Sequence, residues 1–212
     1  MIINPKVVDV YHGDVVQDFK AAFQFGIRGI IHKATEGERE TDPAYAGRRA
    51  KAVEAGFLWG AYHFMRPGDP VAQADHFFAA AYPTAETCLI VDHEDPKVSL
   101  ADVIEFMRTV EGRIGRDVAL YSGSLIKSQI VRSTAAQKIY LGRRRLWLAH
   151  YGAKPTWPHI WSSPWLWQFT GDGEGPGPHH IPGFAGNVDV SSFAGTADEL
   201  AATWAGEPIT SA

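Results

Sequence analysis

Short apolar runs recur along the chain at residues 7–11, 27–33, 58–64, 88–94, 118–122 and 146–151. Their spacing, roughly 25 to 30 residues, is the length of a strand followed by a helix. Two more runs, at 165–169 and 187–190, follow closely on the sixth. Several of these runs are continuous Val, Ile and Leu rather than alternating, which is how a strand covered on both faces reads. Helix signals lie between the early runs. Asp14 is placed to cap a helix carrying Val15, Phe19, Ala22 and Phe23 on one face and ending at Gly26. Asp42-Pro43 and Asp69-Pro70 each combine a capping residue with proline at the first helical position. Ser99 opens a helix with Leu100, Val103, Met107, Val110 and Ile114 at helical spacing, and a shorter helix is predicted over 124–131. After Leu146 the 3.6-residue period is lost, and segments rich in Pro, Gly and Trp, such as 171–178, join the last three runs as loops. The pattern predicts an α/β barrel of about five strand–helix units completed by three strands without regular helices.

With 212 residues and no evident linker, the chain is expected to form one domain, 1–212, loosening from about Thr203. Its formal net charge of −4 and scattered basic residues give no nucleic-acid footprint. The cluster Arg143-Arg144-Arg145 reads as a solvated turn before a strand. Cys88 is the sole cysteine, so no internal disulfide can form, and its apolar neighbours predict a buried, unreactive thiol. No charged segment followed by a long apolar stretch opens the chain, and no run is long enough to span a membrane. No signal peptide, no membrane insertion and a monomer are the resulting expectations. Aromatic residues are abundant, and Trp147, Trp157, Trp161, Trp165 and Trp167 fall late in the chain. They suit either barrel core or a wall for sugar rings.

Candidate chemistry sits at the ends of the runs. The fourth ends in Asp92-His93-Glu94, and period-two alternation points the two acids one way and His93 the other. They could cap the following helix or pair with cations, but two acids projecting together from a buried strand point to a chemical use. The other run ends carry Asp9, Lys33, Tyr62, Tyr121, Tyr151, Gln168 and Asp189. In a closed barrel they converge on one mouth, where the loops gather and catalysis takes place. Four acids there suit a glycosidase, in which one protonates the leaving oxygen and another supports the cationic carbon. They also suit a metal-dependent hydrolase, with His12, His32, His63 and His93 as potential ligands. No paired metal-binding spacing occurs, however, and His63 and His93 are out of phase with inward-facing Tyr62 and Asp92. Packing roles are therefore expected for the histidines, and no metal or other cofactor. Tyr62, Tyr121, Tyr151 and Gln168 around the acids favour a saccharide, whose C–H faces stack on rings while its hydroxyls need amide and carboxylate partners.

Several segments resemble the family-25 glycoside hydrolases, the CH-type lysozymes. They are Val8-Asp9-Val10, Lys33-Ala34-Thr35-Glu36-Gly37, Gly60-Ala61-Tyr62-His63-Phe64, Asp92-His93-Glu94, Trp147-Leu148-Ala149-His150-Tyr151, Trp167-Gln168-Phe169-Thr170 and Gly186-Asn187-Val188-Asp189-Val190. They occur in the family's order and span nearly the whole chain. The resemblance implies a TIM-like (β/α)5(β)3 barrel cleaving the β-1,4 bond between N-acetylmuramic acid and N-acetylglucosamine in bacterial cell-wall peptidoglycan. It implies Glu94 as proton donor and Asp92 as the partner acid, assisting the substrate's acetamido group or stabilising the cation. Asp9 and Asp189 match the flanking acids. Tyr62, Lys33, Tyr121, Tyr151, Gln168 and Trp167 are the expected substrate-binding residues. His93 replaces the small or aliphatic residue usual between the two acids, so altered packing is expected there. Residues i and i+2 of a strand lie about 6.6 Å apart, a spacing that fits retaining or inverting geometry; the resemblance favours retention. The rival readings are a metal-dependent polysaccharide deacetylase and a non-catalytic glycan-binding module. The absence of a visible leader fits a phage endolysin or a secreted enzyme whose leader has been removed.

Overall fold

Cys88, Ile90 and Asp92 alternate with Leu89 and Val91, and all five are buried. Such a strand needs a covering layer on each face. Cys88 and Ile90 join a cluster inside a barrel, while Leu89 and Val91 join the larger cluster beneath the helices. The computed structural model, which describes residues 3–209, repeats this two-sided burial around eight strands. These are β1 (Pro5–Val10), β2 (Gly29–Glu36), β3 (Leu58–Phe64), β4 (Cys88–Asp92), β5 (Ala119–Ser122), β6 (Leu146–Ala149), β7 (Leu166–Thr170) and β8 (Asp189–Ser192). Each pairs with the next in sequence, and β1 closes the ring by pairing with both β2 and β8. Pairing is parallel from β1 to β7, and β8 is antiparallel to both of its neighbours. The result is a closed TIM-like α/β barrel, as the periodicity predicts.

The helices are α1 (Phe19–Phe25), α2 (Tyr45–Glu54), α3 (Pro70–Ala81), α4 (Leu100–Ile114), α5 (Ser124–Val131), α6 (Ala135–Gly142) and α7 (Ala197–Trp204). Asp69 caps α3 ahead of Pro70, and Ser99 forms a reciprocal capping box with Asp102 on α4, both at the predicted positions. Elsewhere the caps moved. Asp18, not Asp14, caps α1, because Val15–Val16 is drawn into a two-strand ribbon with Phe184–Ala185. Asp42 accepts from the Ala44 amide one turn before α2 begins. Helix α6 was missed by the periodicity, although Thr134 and Gln137 form a capping box at its start.

Two expectations about the lower end of the barrel need correction. The chain does not loosen at Thr203: Thr196 caps α7, and Trp204 is driven into the barrel floor with 1% of its surface exposed. Its indole N–H donates to the Trp59 carbonyl at 2.8 Å. The ring lies so close to Gly29 that a Cβ there would come within 2.5 Å of it, so β2 needs glycine at that point. Packing continues to Ile209, whose amide donates to the Gly115 carbonyl, and residues 210–212 lie outside the described residues. The start of the chain considered for a leader also includes residues outside the description, Met1 and Ile2. The arginine cluster is not a solvated turn. Arg144 forms a two-pronged pair with Glu111 at 2.6 and 2.8 Å, and Arg145 pairs with Asp117 at 3.0 Å while donating to the Thr203 and Trp204 carbonyls. Arg143 alone of the three is exposed. No helix among the described residues is long and apolar enough to cross a membrane.

Because Trp204 plugs the floor, Trp204→Ala is expected to cost about 3–5 kcal/mol. Urea titration checks this as a lower midpoint with little change in slope.

Candidate active site

The barrel's upper mouth opens where parallel strands β1 to β7 end and antiparallel β8 begins. Asp189 is therefore the first residue of its strand, yet it lies level with Asp9 near the end of β1, its direct partner in the register. A cleft of about 220 Å³ occupies the mouth. Its walls carry Asp9, Lys33, Tyr62, Asp92, Glu94, Tyr121 and Asp189, so seven of the ten residues singled out from the sequence meet there.

Within the cleft the acids are fixed to different degrees. Asp9 and Asp189 are bridged by one side chain: Gln168 Nε2 donates to both Asp9 oxygens at 3.0 and 3.1 Å and to Asp189 Oδ2 at 3.2 Å. The Tyr121 hydroxyl donates to Gln168 Oε1 at 2.7 Å, which leaves the amide nitrogen facing the carboxylates. Asp189 also accepts from the Asp172 amide at 2.9 Å. Asp92 ends β4 almost wholly buried, and its Oδ1 has no partner among the described residues. Glu94 lies two residues beyond, past the strand end, with its carboxyl at the solvent side of the same cleft. The turn carrying it is held from behind. The His93 amide donates to the Tyr121 carbonyl at 2.9 Å, and Ser122 Oγ donates to the His93 carbonyl at 2.7 Å. His93 Nε2 lies 2.8 Å from Gln129 Oε1 on α5, so the imidazole points away from the cleft, as alternation predicts.

Crowding and burial set the protonation states. Burial first, then the charges of Glu94 and Asp9, pushes Asp92 well above the usual carboxylate range. Asp9 is raised likewise, by burial and then by Asp189. Loss of solvent around Glu94, followed by the Asp172 carboxylate, raises its pKa also. Burial is the main cause pushing Asp189 up to about 6. Lys33 is the cation in the cleft wall; its ammonium pairs with Glu36, which in turn holds Arg66 at 2.6 Å.

Three expected residues sit elsewhere. Gln168 is completely buried and acts on the acids from below rather than on a ligand. Trp167 is its neighbour on β7, so it points outward, packs under the helices with no exposed surface, and donates to the His150 carbonyl. Alternation forbids both from facing the cleft. Tyr151 is 41% exposed at the rim, over Gly171, where a Cβ would come within 2.2 Å of the tyrosine oxygen. Conversely, Tyr11, Phe64 and Trp147 line the cleft. The first two follow Asp9 and Tyr62 by two residues, so the same alternation marked them. Asp172, whose charge reaches Glu94 and Asp189, was hidden in a Gly-rich loop with no periodic signal.

His32, His63 and His93 are buried and tied into packing, while His12 is exposed. His63 lies between Thr35 Oγ1 and Gln73 Oε1 at 2.7 and 3.1 Å and stacks on Phe106. His32 approaches the Lys33 carbonyl and Arg48, and His12 pairs with Asp42. Among the described residues no group of three His, Cys, Asp or Glu side chains is arranged to hold a metal ion.

A closed α/β barrel with a carboxylate-lined mouth is a scaffold that can support carboxylate chemistry. The profile of "Glycosyl hydrolases family 25" matches residues 8–178, and the chain belongs to that family. The autolytic lysozyme of Clostridium acetobutylicum is 28% identical over 195 residues, covering 89% of this chain and 55% of that protein. Lysozyme M1 of Streptomyces globisporus is 26% identical over 214 residues, covering 92% of this chain and 69% of its own length. The chain thus spans little more than half of the first of these relatives. Among solved structures, the muramidase from Trichobolus zukalii superposes with a TM-score of 0.79 at 26% identity, covering 95% of this chain and 98% of that one.

The raised pKa of Asp189 carries a sign for stability. Well below the ordinary value of 3.8 the carboxyl is protonated whether folded or unfolded. Between the ordinary value of 3.8 and about 6 only the folded state holds the proton, so stability falls as pH rises through that window. Asp189→Asn is therefore expected to melt higher than the parent above pH 6, with the gap closing by about pH 4. A melting series from pH 4 to 8 measures it.

Proposed function

We propose that the chain is a muramidase that hydrolyses the β-1,4 bond between N-acetylmuramic acid and N-acetylglucosamine in bacterial cell-wall peptidoglycan. The observation that carries this reading is the pairing, in one cleft, of a solvent-reaching glutamate of raised pKa with a buried aspartate whose oxygen lacks a partner. Glu94 donates its proton to the bridging oxygen as the glycosidic bond breaks. A carboxyl with a raised pKa keeps that proton toward neutral pH. Asp92 Oδ1 takes the acetamido N–H of the sugar and turns the acetamido oxygen toward the anomeric carbon. That arrangement gives retention through the substrate's own group. Glu94, now ionised, then removes a proton from the incoming water.

Asp189, ionised above about pH 6, keeps the mouth negative, which favours the positive charge that develops on the sugar ring. Tyr62, Tyr11 and Phe64 supply ring faces and edges for the sugar, and Lys33 a donor for its oxygens. Tyr151, at the rim, meets the neighbouring sugar. The site of action is the bacterial cell wall.

Glu94→Gln is expected to reduce hydrolysis of purified peptidoglycan by roughly 10²–10⁴-fold, leaving the circular dichroism spectrum and melting temperature near those of the parent. Mass spectrometry of the released fragments should place the new reducing end on N-acetylmuramic acid. Near-normal turnover by the variant would falsify the assignment of Glu94.

A further inference from the structure

From Val118 to Gly171 the chain carries seven Lys and Arg residues and not one Asp or Glu. The rest of the chain holds 13 basic residues and all 24 acids, a formal charge of −11 against +7. Fold and pairing concentrate this asymmetry further. Arg144 and Arg145 are neutralised by Glu111 and Asp117. Lys127, Arg132, Lys138, Arg143 and Lys154 take part in no ion pair among the described residues. They are distributed over α5, the turn after it, α6 and its end, and the β6–β7 loop, so one flank of the barrel is positive beside an acidic mouth.

A groove of about 490 Å³ lies in that flank. Its apolar lining includes Val131, Trp157, Pro158 and Ile160, and Lys127 and Lys138 supply its charge. Val131 leaves 73% of its surface uncovered. At one side Lys127 Nζ lies 2.9 Å from His150 Nδ1, and the next residue, Tyr151, stands at the rim of the catalytic cleft. The groove is therefore a neighbour of the cleft.

Apolar walls with ammonium groups and no carboxylate select a ligand that is anionic and also carries methyl-sized apolar groups. A bare phosphate polyanion has the charge but nothing for the tryptophan, proline and isoleucine to cover. A short peptide ending in a carboxylate has both, and such peptides hang from the muramic acid lactyl groups of the polymer assigned to the cleft. We propose that this groove binds the carboxylate-bearing stem peptide of a peptidoglycan strand whose sugars occupy the cleft. The proposal rests on the muramidase reading for its choice of polymer. The negative charge elsewhere on the protein helps orient the strand by repelling the same peptide from other faces.

The test compares the parent with the double variant Lys127→Gln/Lys138→Gln on two soluble glycans free of phosphate polymers, one bearing stem peptides and one stripped of them by an amidase. On the peptide-bearing strand kcat/KM is expected to drop roughly tenfold, through KM, as two half-buried charge contacts are lost. On the stripped strand the two proteins should match. An equal loss on both strands, or no loss on either, overturns the proposal. So does a loss seen only on walls that retain phosphate polymers. If the parent cleaves neither strand, the muramidase reading fails by itself, and the groove is judged by titrating a synthetic stem tetrapeptide. Binding weakened by the double variant supports the groove; absence of binding by the parent overturns it.

Discussion

Four carboxyl groups crowded into one barrel mouth repel one another, and the buried amide of Gln168 makes the arrangement tenable. It gives hydrogen bonds to Asp9 and Asp189 together, and the Tyr121 hydroxyl holds it with its nitrogen toward the acids. Turned over, the same amide would set its oxygen against two carboxylates. The bridge costs the protein one buried polar side chain and leaves Asp92 and Glu94 without any comparable tie. Unlike charges could have stabilised all four more strongly, but they would have lowered the pKa values that the proposed acid catalysis requires. A neutral donor holds the acids in place while leaving the cleft negative.

Everything around this bridge serves rigidity. Glu94 itself lies beyond the end of β4, where a loop could wander. Its turn is pinned on the reverse side by His93 to Gln129 and by Ser122 to the His93 carbonyl. The imidazole in this position is thus a packing anchor between β4 and α5. At the opposite end of the barrel Trp204 fills the floor against Gly29 and Trp59. The final helix therefore closes the same hydrophobic interior whose upper limit is the acidic cleft.

The electrostatics divide the molecule. An acidic mouth suits a reaction that generates positive charge on a sugar, yet the polymer proposed as substrate is anionic. In the proposed arrangement the acid-free stretch from Val118 to Gly171 meets this conflict by placing lysines that make no ion pair among the described residues beside the cleft. Lysines inside the mouth would pair with the acids and quench them, as Lys33 would without Glu36 to occupy its ammonium.

Sequence by itself determined the strand–helix repeat, the lack of helices between the sixth and eighth strands and the acids at the strand ends. These features are local: burial on both faces demands apolar runs, and alternation decides which way each side chain points. The same alternation shows that Trp167 and Gln168 cannot both face the mouth and marks Tyr11 and Phe64 as cleft residues. Only the tertiary structure decided the rest. The reversed direction of β8, the binding of Arg144 and Arg145 to Glu111 and Asp117, and the approach of Asp172 to Glu94 join residues far apart in the chain. No periodicity records such contacts, because they arise when the closed ring brings distant segments to one end and burial makes their charges felt.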